Sequence, residues 1–152
     1  MFIDTHVHLN SEELESHLKE VLDEAYQVGV GKMIIVGYDL KTSIKAVELA
    51  NSIDGCYAAV GFHPAEIKGY TNREYLELEM LAKNKKVLAI GEVGYDFHWD
   101  TTTKKEQQEA FVRQIEIAKK LHLPLIIHSR DAHQITYETL KENNAEMVGG
   151  IM

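Results

Sequence analysis

The 152 residues predict a parallel α/β fold, and two observations carry that reading. Short, largely apolar runs begin near positions 2, 33, 56, 87, 123 and 147, and helical patterns separate them, so a strand-plus-helix unit recurs roughly every 30 residues. Residues able to carry chemistry stand at the carboxyl ends of several runs, the edge at which parallel α/β folds build their sites. The repeat by itself fits either an open doubly wound sheet or a (β/α)-barrel.

The first run, Met1 to Leu9, puts Asp4, His6 and His8 on one strand face, with Ile3, Thr5, Val7 and Leu9 on the other. Two imidazoles two residues apart can close on one cation, although His-x-His alone is a weak signal. Asn10 or Ser11 then caps a helix with Leu14, Leu18, Val21, Leu22, Ala25 and Val28 at spacings of three and four, and Gly29 ends it. Met33 to Gly37 reads as the second strand, and a helix from about Asp39 carries Ile44, Val47, Ala50 and Ile53. Cys56 to Phe62 is the third strand, leading through Gly61-Phe62-His63-Pro64 to a capping box, Thr71 with Glu74, and a helix through about Lys83. Val87 to Gly91 is the fourth, followed by a second capping box, Thr103 with Glu106, and a long helix carrying Phe111, Ile115, Ala118 and Leu121. Leu123 to His128 is the fifth, a helix begins near Asp131, and Met147 to Met152 starts a sixth.

At this length, with 45% hydrophobic residues, the chain is expected to form one domain, 1–152, burying roughly two thirds of its unfolded surface. A formal net charge of −8 excludes a global basic field, so a phosphate-bearing substrate has to be held by local groups or by cations. Cys56 stands alone among apolar neighbours, so no internal disulfide forms; a reducing cytoplasm fits, and neither a signal segment nor a membrane-spanning run is expected.

His6 and His8 end the first strand, His63 the third, Glu92 the fourth and His128 the fifth. Strand parity groups Glu92 with Leu88 and Ile90, and His128 with Ile126. A barrel would bring such groups to one point, whereas an open sheet would spread them.

Four stretches, Phe2-Ile-Asp-Thr-His-Val-His-Leu9, Gly61-Phe-His-Pro64, Ala89-Ile-Gly-Glu-Val-Gly-Tyr-Asp96 and Leu123-Pro-Leu-Ile-Ile-His-Ser-Arg-Asp-Ala132, together resemble the motifs of TatD-type metal-dependent deoxyribonucleases. The resemblance covers the whole chain. It implies a (β/α)-barrel of the TIM type and a hydrolase that cleaves phosphodiester bonds in DNA or a small phosphodiester with a metal-activated water. It further implies two divalent cations, with zinc, manganese and magnesium the candidates. Carried over by motif, His6 and His8 would hold one cation, Glu92 would bridge both and His128 would bind the second, making Glu92 and His128 the catalytic pair; His63 and Arg130 would face substrate phosphate, and Asp4 would orient the histidines from behind.

The family's barrel has eight units, so this chain is expected to be incomplete, stopping after about five and a half, with a metal-binding histidine and aspartate falling beyond residue 152 and activity impaired. Two other functions stay open: an amidohydrolase acting on amides or esters, and a noncatalytic metal-binding domain. Open sheet edges predict self-association. His17, His122 and His133 read as surface or helix-end residues, and the lysines at 83, 85 and 86 as a solvated surface. Trp99 follows the Glu92 motif directly; packing of its loop is its first expectation and base stacking its second.

Overall fold

The computed structural model describes residues 1–99 and 101–152. Six strands form one sheet in sequential order: β1 (Phe2–Val7), β2 (Val30–Val36), β3 (Cys56–Val60), β4 (Val87–Asp96), β5 (Leu125–Arg130) and β6 (Gly150–Ile151). Every adjacent pair is parallel. The returning connections carry α1 (Glu12–Glu15), α2 (Leu18–Gln27), α3 (Leu40–Ser52), α4 (Asn72–Leu81), α5 (Lys104–Leu121) and α6 (His133–Glu142), with a 3₁₀ turn at Ala145–Met147. A doubly wound sheet reverses its strand order at the middle; here the order never reverses, and the architecture is six strands of a (β/α)-barrel.

Two apolar layers sandwich the sheet. The larger lies between strands and helices and includes Ile35, Val60, Ile90, Val93 and Tyr95 against Leu78, Phe111, Ile115 and Ala118. The smaller, Val36, Ala59, Ala89 and Ile126, fills the opposite, inward face, where modest side chains suit the curvature of a barrel wall. Capping boxes start α4 at Thr71 and α5 at Thr103 as expected, and a third, Asp39 with Thr42, starts α3.

The stretch expected as one helix from residue 11 to 28 is two. Ser16 turns its hydroxyl onto the Glu13 carbonyl, and the His17 amide bonds three residues back to Leu14, so α1 closes in a tight turn and α2 restarts with His17 as its N-cap. Strand β4 runs five residues further than expected, to Asp96, so Glu92 lies inside the strand rather than at its end. Its pairing with β5 slips between Ile90 and Val93. Ile90 therefore packs toward the helices while Glu92 points inward, and the parity linking them does not hold. His63 stands three residues beyond β3 and is held by its backbone amide on the Tyr38 carbonyl rather than by strand pairing. No helix among the described residues is long and apolar enough to cross a membrane.

Candidate metal centre

Val7 and Leu9 pack toward the helices, which turns His6 and His8 to the inward face. There they meet Glu92: its Oε2 lies 3.4 Å from His6 Nε2 and 4.0 Å from His8 Nε2, while Oε1 lies 2.7 Å from His128 Nδ1. One carboxylate thus faces β1 with one oxygen and β5 with the other. Two overlapping sets of donor atoms result, His6–His8–Glu92 and His63–Glu92–His128, each gathered within 4.8 Å. Imidazole nitrogen and carboxylate oxygen suit a divalent ion such as zinc or manganese, so this donor set fits a metal centre.

The other ring nitrogens decide what each histidine can offer. His8 Nδ1 lies 2.9 Å from the Val36 carbonyl, which only accepts, so the proton sits on Nδ1 and Nε2 keeps its lone pair toward Glu92. Tyr38 meets the His8 ring edge-on at 5.6 Å. Asp4, expected to orient the histidines, accepts the His6 backbone amide on its Oδ1 at 3.0 Å, and its charge helps raise the His6 pKa.

His63 has the reverse arrangement. Its Nδ1 accepts the Ala65 amide at 3.1 Å, so the neutral ring carries its proton on Nε2 and presents a donor rather than a lone pair. Burial, reinforced by the neighbouring His128, pushes its pKa down to about 4, so the ring is neutral at pH 7. Arg130 ends β5 exposed, and its planar fork suits an anion.

Asp96, quoted within the fourth-strand motif but given no role from sequence, is the group that reasoning missed. It is 1% exposed, and its Oδ2 lies 2.8 Å from His128 Nε2. Its Oδ1 accepts the amides of His98 and Trp99 at 2.8 and 3.1 Å. Gly94 makes this sandwich possible: at φ +145°, a Cβ there would stand 2.0 Å from the His128 carbonyl oxygen, so only glycine lets β4 approach closely enough for Glu92 and Asp96 to flank one ring. Two buried glutamines of α5 brace the frame. Gln107 bonds both the amide and the carbonyl of Asp96, and Gln114 does the same for Phe62, the residue before His63. Both stand three or four residues from Phe111, on the apolar stripe of α5, and a polar side chain on such a stripe was the available signal.

Charge follows from these contacts. Burial alone would raise the Glu92 carboxyl, but hydrogen bonds from His128 and His6 outweigh it and hold it well below the usual carboxylate range. Asp96 is also lowered: the amide of Trp99, His128 and the amide of His98 together overcome burial. His6 is raised by the Glu92 carboxylate. His128 is raised as well, because carboxylate oxygens at both ring nitrogens outweigh its burial.

A family model described as TatD related DNase matches residues 3–152. The chain is 43% identical over 152 residues to the Bacillus subtilis protein named uncharacterized metal-dependent hydrolase YabD, covering all of this chain and 60% of that one. It is 34% identical over 130 residues to a Cronobacter sakazakii protein named 3'-5' ssDNA/RNA exonuclease TatD, covering 86% of this chain and 49% of that one. Among solved structures, the Escherichia coli K12 TatD homologue YJJV superposes with a TM-score of 0.89 at 31% identity, over 95% of this chain and 57% of its own. An uncharacterized amidohydrolase from Saccharomyces cerevisiae, at 21% identity and a TM-score of 0.84, shares the fold. The chain therefore spans between about half and 60% of the length of these relatives. Sequential parallel strands, a carboxylate shared by two donor sets and a family match across nearly every residue converge: this chain belongs to the TatD related DNase family of metal-dependent hydrolases.

Proposed function

We propose that the site hydrolyses phosphodiester bonds of single-stranded nucleic acid with two divalent cations. The observation that carries this reading is the placement of Glu92, one oxygen toward His6 and His8 and the other toward His128. His6 and His8 would hold one cation, His128 the other, and Glu92 both. When bound, such a pair supplies Lewis acidity toward water and phosphate oxygen. The remaining residues serve the substrate. His63, neutral and protonated on Nε2, donates a hydrogen bond to a phosphate oxygen, and Arg130 pairs with its charge from the rim. Asp96 fixes the ring of His128, and the Val36 carbonyl that of His8. The exonuclease named above supports nucleic acid as the substrate.

The test is cleavage of a labelled single-stranded oligonucleotide with Mg2+, Mn2+ or Zn2+, and with chelator. Cleavage should need the metal and disappear in Glu92→Gln. The chain spans about half to 60% of the length of these relatives, and assayed alone it is expected to be slower than a full-length relative by orders of magnitude. Chelator-resistant cleavage would sink the mechanism.

The same chain is expected to self-associate. Among the described residues β1 pairs only with β2 and β6 only with β5, and apolar side chains flank these edges: Phe2 is 68% exposed, Ile3 56% and Ile151 49%. Sedimentation should show mass rising with protein concentration. A monomer at every concentration would show that the edges are protected.

A further inference from the structure

We propose that Trp99 is a stacking platform for the nucleobase joined to the phosphate at this site, an inference that rests on the nucleic-acid reading above. The sequence favoured packing of the loop as its role, yet Trp99 is 53% exposed. Described residues on both sides of it are tied by hydrogen bonds. The amides of His98 and Trp99 are tied to Asp96, Thr101 Oγ1 donates to the Ala65 carbonyl at 2.9 Å, Thr102 Oγ1 donates to the Pro64 carbonyl at 2.7 Å, and Gln107 bonds Thr102. Hydrogen bonds on both sides of Trp99 thus accompany a large aromatic side chain that is half in water.

Its position gives that exposure a use. The carboxylate gripping the Trp99 amide also grips His128, and the threonines latch the segment to the two residues after His63. On the other side the Arg130 guanidinium lies 5.9 Å from the Trp99 ring centre. A phosphate held by His63 and Arg130 would have its own nucleoside one sugar away, beside an indole that is 53% exposed even with the His98 ring edge-on at 4.8 Å and the Arg130 guanidinium over its ring. The charge balance strengthens the argument. With a net charge of −8 the chain has no global basic field to track a strand, so a stacked base adds grip beyond the local phosphate contacts of His63, Arg130 and the cations. Every base has a π-face, so the ligand is a nucleobase of any sequence.

Trp99 is the one tryptophan of the chain, which makes it its own probe. Its fluorescence would be titrated in Mg2+ with a cleavage-resistant phosphorothioate oligothymidylate and with an abasic oligomer of equal length. The thymidylate should quench it saturably and bind roughly tenfold or more tighter than the abasic chain. By anisotropy of a labelled thymidylate, Trp99→Leu should lose roughly tenfold in affinity, Trp99→Phe should retain most of it, and melting of both variants should match wild type. Salt should weaken binding only slightly. Binding without quenching, equal affinity for the abasic oligomer, or wild-type affinity in Trp99→Leu overturns the stacking role alone. If neither oligomer binds the wild type, the nucleic-acid reading falls and the stacking role with it.

Discussion

Calorimetric titration with Zn2+ should show uptake by the wild-type chain and a loss of roughly 100-fold or more in affinity when His6→Ala and His8→Ala are combined, beyond what removal of a merely supporting group costs at metal sites. The double substitution takes two of the three donors from the His6–His8–Glu92 set and leaves Glu92 and His128 in place. The fold should survive it. Both side chains are more than a third exposed, and the Val36 carbonyl that loses the His8 ring keeps the Asn10 amide at 3.0 Å, so no buried acceptor is orphaned. Melting separates the effects: a ligand at about 100 times its Kd stabilises by about 2.7 kcal/mol, so Zn2+ should raise the wild-type midpoint and leave that of the double variant nearly unmoved. Equal uptake by both proteins would place the metal elsewhere.

What could be read in the sequence was what depends on near neighbours. The capping boxes at Thr71 and Thr103 are written within four residues, and both formed. The alternation of His6 and His8 against Val7 and Leu9 needs only one strand, and it held. Sequential parallel order also followed, because short connections carrying a helix leave little other choice. The inward turn of Glu92 was right for a wrong reason. Parity with Ile90 assumed an unbroken strand, but the slip in pairing between Ile90 and Val93 reverses the faces, and that slip belongs to the contact with β5. Asp96 lay hidden too: a strand expected to stop at Gly91 cannot carry its tenth residue onto the face of a histidine 32 positions away. Which nitrogen each histidine presents was also beyond the sequence, since the deciding partners, Val36 carbonyl for His8 and Ala65 amide for His63, are main-chain atoms.

Replacing Asp96 with asparagine should lower affinity at the His128 side roughly 10- to 100-fold without unfolding the protein, although the change is isosteric. The reason is where the protons go. A cation can take His128 Nδ1, the atom facing Glu92, only if the ring proton sits on Nε2, and Asp96 Oδ2 at 2.8 Å accepts it there. In Asp96→Asn the side-chain oxygen has to stay at the Oδ1 position, because the amides of His98 and Trp99 need an acceptor in a residue that is 1% exposed. The NH2 group then replaces Oδ2 and donates to Nε2. That moves the ring proton to Nδ1, where it bonds Glu92 and occupies the lone pair a cation requires. Alanine would be a poorer test, since it leaves two buried amides without a partner and confuses binding with stability. Nitrogen chemical shifts of labelled histidine should report the exchange directly, with Nε2 protonated in the wild type under Zn2+ and Nδ1 protonated in the variant. An asparagine variant that binds metal as tightly as the wild type, with the proton still on Nε2, would show that Asp96 orients nothing.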